Sequence, residues 1–568
     1  MIWLLTTLDA FKILEPRRPT PCPGPTMPNV VVLDNLSQQG LDLLVANPQI
    51  EFDVKTGLAG NDLRETLRQY DGALCRSGVK ITSDILEGNQ RLKAIVRAGV
   101  GTDNIDSEAA TRLGIVVMNT PTGNTISTAE HAIALMLALS RNVAPAYQSL
   151  LEGRWDRKKF TGTQLAGKSL GIVGLGRIGQ AVAARATAFE MRVLGFDPYL
   201  SRDRAGELGV ELYDRVDAML PEVDYLTVHT PLSEQTRGLI GNKQIELIKP
   251  GARLINCARG GIYDEEALVK GLKSGRLAGV ALDVFTTEPC TDHPLFGMPG
   301  VLCTPHLGAS TDEAQAQVAV EGVNLLIDFL TSGAIRHAVN VSPLDAKTLE
   351  SLGGYLDLAY RLGLLMSQLN PAAAKSCRMN YVGDIAEKDT GLLNASFACG
   401  LLERALDTRP NIVNAELLLR ERGIEIVENK RKGKGPFASI IRAELQTADG
   451  HSQATGTLFG HNMPRLVQIG ENQLEAFLDG KLVVFFHRDI PGIIGAVGSI
   501  FGKHDINIAQ MAVGRAARGA EAIGVLNLDD LPGDEAMAEV RAHPAINDAV
   551  VIELPKAGQR PAWLHGPA

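Results

Sequence analysis

From Pro28 onward, short runs of Val, Ile, Leu and Ala alternate with longer stretches whose apolar residues recur every three or four positions. Short apolar runs closed by Gly, Pro or Asp read as strands buried on both faces, and the stretches between them as helices. "NVVVLDN", "DGALCRSG", "LKAIVRAG" and "IVVMNTP" form one such series. "SLGIVG", "RVLGFDP", "YLTVHTP", "RLINCARG", "GVALDVF" and "VLCTPH" form a second, which begins at Lys168. Each series predicts a parallel α/β sheet. Between them, residues 127–142 predict a helix apolar nearly all round, opened by Ser127 with Glu130 in capping-box spacing. Such a helix belongs between domains or subunits. "TDEAQAQVAVEGVNLLIDFLTSG" predicts a further helix that closes the second series.

Beyond residue 345 the pattern loosens. "ESLGGYLDLAYRLGLLMSQLN" reads as a helix. "IEIVENKRKGKGPFASIIRAELQTADG" and "SQATGTLFGHNMPRLVQIG" each read as a β-hairpin. From Lys481 the order is strand, helix, strand, strand, helix, strand: "LVVFFH", "IIGAVGSIFGK", "INIAQMAVG", "AIGVLNL", "DEAMAEVRAH" and "DAVVIEL". That order is the ferredoxin-like βαββαβ.

Length and charge narrow the picture. A chain of 568 residues exceeds one core, so three or four domains are expected. The net charge of −9 argues against nucleic-acid binding by the chain as a whole and leaves anion binding to local Arg clusters. The seven Cys form no C-x-x-C pair, which suits reduced thiols and a cytoplasmic location. No apolar run is long enough for a membrane span. Residues 1–26 have no basic n-region or small-residue cleavage site, and their Pro-rich end resists packing. They are expected to be a disordered extension, or to precede a true start at Met27.

"GLGRIG" places Gly174, Gly176 and Gly179 between a strand and a helix, with Asp197 ending the next strand. That context is the dinucleotide fingerprint. Gly174 makes the tight turn, Gly176 admits the pyrophosphate at the helix N-terminus, and Gly179 lets helix and strand approach. Asp197 would accept from the ribose hydroxyls, which favours NAD over NADP. A whole α/β unit precedes the motif, so the active site is expected in a cleft between two domains.

Three polar residues follow strands of the second series: Arg259 in "CARGG", Glu288 in "FTTEP" and His306 in "TPHLGAS". Hydride transfer between a 2-hydroxy acid and NAD needs that set. Arg grips a carboxylate with two donors. His removes a hydroxyl proton near neutral pH. A carboxylate behind the His fixes its tautomer and stabilises the imidazolium.

With "GLGRIG", "CARGG", "LDVFTTEP" and "TPHLGAS" in this order, the chain resembles the D-isomer-specific 2-hydroxyacid dehydrogenases. The long form of that family matches residues from about 27 to 555. The resemblance implies a Rossmann NAD-binding domain, a flavodoxin-like substrate domain, an α+β intervening domain and a ferredoxin-like ACT domain. It places them at 126–314, at 27–125 with 315–340, at 345–478 and at 481–555, with a tail at 556–568. It makes Arg259, Glu288 and His306 catalytic. NAD contacts carry over to Gly174, Gly176, Arg177, Ile178, Gly179, Asp197, Thr230, Cys257, Ala258, Arg259, Asp283, His306, Leu307, Gly308 and Ala309. Val100 stands where some relatives place a Thr on the cofactor, so that contact does not transfer. Arg76, Arg97 and Arg141 match positions that bind anionic substrate, Arg141 through a partner subunit.

The implied reaction is NAD-dependent oxidation of 3-phospho-D-glycerate to 3-phosphooxypyruvate by a homodimer or homotetramer, with no metal. His487, Asp489 and Asn507 match contacts for an amino-acid effector, L-serine, in the ACT domain. Residues 429–435, "NKRKGKG", read equally as an anion site or a solvated basic tip. Two other readings stay open: a hydroxypyruvate, glyoxylate or lactate enzyme of the same family, and an NAD-sensing corepressor-like protein that keeps the triad.

Overall fold

The computed structural model describes residues 27–564 apart from 371–373, 407–409, 434–436, 448–449 and 461. Residues 1–26, together with Lys434 and Gly435 of the basic tip, therefore lie outside the described residues. Four sheets follow one another along the chain.

The first sheet is parallel, in the spatial order Glu51–Val54, Asn29–Val32, Gly72–Cys75, Ala94–Arg97, Val116–Asn119. That is the flavodoxin-like order. The second is parallel and seven-stranded, with Ser169–Val173 as an inner strand. Arg192–Phe196 and Glu211–Leu212 lie to one side, and Tyr225–Val228, Ala252–Asn256, Leu277–Leu282 and Val301–Cys303 to the other. Its first six strands follow the Rossmann order. In both sheets the inner strands are buried on both faces, which explains their unbroken apolar runs.

Two helices link the units. Thr125–Ser140 packs on Arg177–Ala188 of the second unit. It starts earlier than the Ser127–Glu130 spacing suggested, with Asn124 as its N-cap. Ser127 bonds back to the carbonyl of Asn124, and Glu130 pairs with Arg185, so no capping box forms. Helix Asp312–Ser332 returns to cover the first sheet, opened by the Thr311 hydroxyl and closed at Gly333.

The third sheet departs from the two-hairpin reading. Ile426–Arg431 and Ser439–Thr447 do not pair with each other. Ala374–Gly383 lies between them, parallel to the first and antiparallel to the second. The second hairpin, His451–Phe459 with Met463–Ile469, forms as expected. Helix Ala346–Leu369 crosses Gly391–Leu402 at backbone contact: a Cβ on Gly400 would lie 2.0 Å from the Tyr360 carbonyl oxygen. The fourth sheet is antiparallel in the ferredoxin-like order Ile508–Arg515, Glu521–Leu528, Lys481–Arg488, Ile546–Glu553.

One apolar core runs from the first sheet through these helices into the rear face of the fourth sheet, at Leu482, Val484, Ile523, Val525 and Ile552. The buried Arg361 joins the last two sheets. Its Nε donates to Asp357, Nη1 to the carbonyls of Leu478 and Pro555, and Nη2 to those of Lys556 and Gln559. The two segments that tie the fourth sheet to the rest of the chain are thus held by one guanidinium. The tail beyond residue 556 packs back as far as Leu564, with Trp563 edge-on to Tyr360. Burial pushes the Asp357 carboxyl up against the pull of Arg361.

Replacing Arg361 with Met leaves Asp357 buried without its cation, a change that costs about 3–5 kcal/mol. Hydrogen exchange is expected to accelerate at 478–481 and 553–559, and unchanged protection there would contradict the clamp.

Candidate active site

The C-terminal ends of the two parallel sheets meet across Arg259 and Asp103, and the sequence-predicted Arg76, Arg97, Arg259, Glu288 and His306 lie at these ends. Arg97 ends one strand of the first sheet and Arg76 directly follows another. Arg259 and His306 follow strands of the second sheet. Arg259 reaches across: its Nε donates to Asp103 of the first unit at 2.9 Å.

His306 and Glu288 meet as predicted, with Nδ1 2.7 Å from Oε2. The other Glu288 oxygen accepts from the Phe285 N–H at 2.9 Å. Burial raises the Glu288 carboxyl, but the bonds from His306 and Phe285 outweigh it and hold the pKa below the ordinary value. Glu288 is therefore the anion that keeps its proton partner on Nδ1. Nε2 is left for a substrate, and the ring is half exposed.

His306 sits at φ 56°, an uncommon conformation for a residue with a side chain. Asp283, fully buried, holds it there. Its carboxylate accepts from the Leu307 N–H at 2.7 Å, the Gly308 N–H at 2.8 Å and the Thr304 hydroxyl at 2.6 Å. His131 Nε2 lies 3.1 Å away. Burial works against ionisation, yet His131, Thr304 and Leu307 together keep the pKa of Asp283 low. Asp283, counted as an NAD contact from the sequence, has this internal work as well. Thr128 anchors the same loop by bonding the Gly308 carbonyl. The Ala309 carbonyl accepts from Gln315.

The fingerprint region fits a dinucleotide. Gly174 has φ 91°, and a Cβ there would lie 2.6 Å from the His229 carbonyl oxygen. A Cβ on Gly179 would lie 2.0 Å from the Gly174 oxygen, so helix and strand touch. Gly176 faces open space at the start of helix Arg177–Ala188, with Arg177 exposed and Ile178 half-buried. Asp197 is aimed by the N–H groups of Leu175 and Tyr199, both at 2.8 Å. The Thr230 hydroxyl is buried without a partner among the described residues, beside Gly174. Cys257 and Ala258 lie on the turn leading to Arg259. Burial and the Asp283 charge push the Cys257 thiol well up, so it is an apolar wall rather than a nucleophile.

Three guanidiniums share the first-sheet side. Arg97 is pushed down to about 10, first by burial and then by Arg259, with Arg76 adding to the effect. Its Nε is buried without a partner among the described residues. Such a cluster suits an anion carrying more than one charge. Arg141 is not part of it. It caps the C-terminal end of helix Thr125–Ser140 and is exposed there. The other end of that helix carries Thr128 and the loop contact.

The fourth sheet brings two of the three effector candidates together. His487 Nδ1 donates to the Arg488 carbonyl, its ring stacks on Phe485 at 5.2 Å, and its Nε2 is buried without a partner among the described residues. Asp489 accepts from the Gly519 N–H and from Arg515, and both lower its pKa. Asn507 lies at the other end of the sheet, roughly 20 Å away by strand rise, and bonds Asp529.

Asp103, His131, Thr304 and Asn256 were not singled out from the sequence. Asn256 pins the Ala258 N–H and the Arg259 carbonyl. His131 carried a signal, as the one ring-bearing polar residue of a largely apolar helix; Asn256 ends a strand, and Asp103 and Thr304 lie in ordinary loop sequence.

Residues 133–308 match the NAD-binding domain of the D-isomer specific 2-hydroxyacid dehydrogenase family. Residues 351–470 match the D-3-phosphoglycerate dehydrogenase intervening domain, and 481–545 the ACT domain. A D-3-phosphoglycerate dehydrogenase of Synechocystis sp. is 41% identical over 530 residues, spanning 93% of this chain and 95% of its own length. That of Archaeoglobus fulgidus is 39% identical over 528 residues, spanning 92% of this chain and all of its own. Among solved structures, the TT0316 protein of Thermus thermophilus superposes with TM-score 0.51 at 34% identity, covering 55% of this chain and 99% of its own. A glyoxylate reductase from Paecilomyes thermophila gives TM-score 0.51 at 28% identity, with 55% and 98% covered. Among the described residues, no helix is long and apolar enough to cross a membrane.

If the Arg cluster receives a phosphate, Arg76→Ala is expected to raise KM for a phosphorylated 2-hydroxy acid by about 10-fold or more, the worth of one charge-assisted bond. KM for an unphosphorylated analogue is expected to stay within about 3-fold of wild type, well short of the loss of such a bond. Equal effects on the two would contradict the phosphate assignment.

Proposed function

The chain belongs to the D-3-phosphoglycerate dehydrogenases, within the D-isomer specific 2-hydroxyacid dehydrogenase family, and on that premise we propose that it oxidises 3-phospho-D-glycerate to 3-phosphooxypyruvate with NAD, the first step of L-serine biosynthesis. The observation that carries the reading is the His306–Glu288 pair, set in one cleft with Arg259, Arg97 and Arg76.

Arg259 and nearby main-chain amides hold the substrate carboxylate. Arg76 and Arg97 hold the phosphate. His306 Nε2 takes the C2 hydroxyl proton, and Glu288 stabilises the imidazolium that forms. NAD, held by the Gly174–Gly179 turn and Asp197, supplies the hydride acceptor. The domain divisions at 27–125 with 315–340, 126–314, 345–478 and 481–555 belong to the same reading. A glyoxylate or hydroxypyruvate reductase has less support: the glyoxylate reductase above covers 55% of this chain, whereas the phosphoglycerate dehydrogenases span more than nine-tenths of it.

The enzyme is proposed to act as a homo-oligomer, dimer or tetramer. Helix Val143–Leu151 and the turn after it expose Val143, Tyr147, Leu150, Leu151 and Trp155, the last at 77%. A monomer rarely leaves such a patch open. Arg141 stands beside it and is proposed to enter the cleft of a second copy. The ACT domain supports an amino-acid effector. L-serine is proposed to bind His487 and Asp489 of one copy and Asn507 of another, which accounts for their separation within one chain. The buried Cys75, Cys257, Cys377 and Cys399, all free, suit a reducing cytoplasm.

The test is consumption of NADH with 3-phosphooxypyruvate, with and without L-serine. Turnover is expected, and serine is expected to lower it. Reduction of glyoxylate with no reduction of 3-phosphooxypyruvate would overturn the substrate; turnover indifferent to serine would remove the effector alone.

A further inference from the structure

Arg259 leaves a turn whose backbone Asn256 fixes, but its side chain must still be aimed across the cleft. Nη1 donates to the Ala258 carbonyl at 2.7 Å, and Nε to Asp103 Oδ2 at 2.9 Å. Nη2 has no partner among the described residues. Asp103 comes from the opposite wall, in the loop 99–103 that follows strand Ala94–Arg97.

That loop supports both guanidiniums. A Cβ on Gly99 would lie 2.3 Å from Arg97 Nη1, and one on Gly101 only 1.6 Å from Arg259 Nη2. Arg97 and Arg259 repel each other, and Asp103 is the carboxylate that acts against this repulsion. The Asp103 side chain is 69% exposed. An ion pair that open to water adds little stability, so its consequence lies in where it holds the guanidinium.

We propose that Asp103 is a positioning residue for the 2-hydroxy acid: it grips Arg259 by Nε from the substrate-domain wall and so turns the free Nη2 edge toward the substrate carboxylate. The bond joins the two walls, so the anchor is aimed only at the cleft width that lets Asp103 reach it. This rests on Arg259 being the carboxylate anchor.

Steady-state kinetics of Asp103→Ala and Asp103→Asn, measured for 3-phosphooxypyruvate and for NADH, test it. Misplacing a positioned group by an ångström costs on the order of 10- to 100-fold. Asp103→Ala is expected to raise KM for 3-phosphooxypyruvate by about 10-fold or more and to leave KM for NADH within about 2-fold, because only a positioned substrate contact is lost. Asp103→Asn keeps an oxygen acceptor for Nε and is expected to recover most of the loss. An unchanged KM in Asp103→Ala would overturn the proposal. So would a lowered KM, which would make Asp103 a competing anion, or equal impairment of the two variants. If the wild-type chain turns over no 2-hydroxy acid, the reaction itself is wrong and the proposal falls with it. An indifferent Asp103→Ala beside an active wild type removes only the positioning role.

Discussion

A single buried carboxylate sets the geometry of His306, the proposed catalytic base. Asp283 has no exposure to solvent, and an unpaired charge there would be prohibitive. It is tolerated because His131, the Thr304 hydroxyl and the N–H groups of Leu307 and Gly308 converge on it. Those bonds leave the loop little choice of path. His306 is held at a positive φ, and Nδ1 meets Glu288 while Nε2 remains open. Because His131 and Thr128 lie on the long apolar helix, that helix and the His306 loop are one structural unit. Its far end carries Arg141 and leads into the exposed apolar patch. Assembly with a second copy would therefore bear on the same element that holds the base in place.

A comparable economy ties the last two sheets together. Arg361 satisfies its donors on Asp357 and on carbonyls from both segments that flank the fourth sheet. The rear face of that sheet shares a core with helices that lead back to the first sheet. Arg112 with Glu421, and Asn411 with the Gly114 carbonyl, add polar contacts between the first and third units. A ligand at the fourth sheet thus has a continuous packed route to the cleft. That is a physical connection; coupling through it is a separate matter of energetics.

The sequence made the two parallel sheets legible because strands buried on both faces leave unbroken apolar runs, closed by the Gly and Pro of the connecting turns. The candidate trio Arg259, Glu288 and His306 and the fingerprint were legible for the same reason, since each follows such a run. Four features were hidden. Strand Ala374–Gly383 alternates polar and apolar residues after a helix and carries no hairpin turn, so its insertion between Ile426–Arg431 and Ser439–Thr447 is a long-range choice. The helix start at Asn124 was masked by the better-looking cap at Ser127. Asp103 and His131 act only through partners far away in sequence, Arg259 and Asp283. Local pattern holds no trace of such pairs. The separation of Asn507 from His487 and Asp489 was likewise invisible until the strand order was known.

One cleft is proposed to seat a single substrate, its carboxylate on Arg259, its reacting oxygen on His306 and its phosphate on Arg76 with Arg97. A crystal structure of the chain with NADH and 3-phosphooxypyruvate tests it most directly. The carboxylate is expected on Arg259, the C2 oxygen within about 2.6–3.2 Å of His306 Nε2, and the phosphate between Arg76 and Arg97. A substrate seated with its phosphate on Arg259, or with its C2 oxygen out of reach of His306, would contradict it.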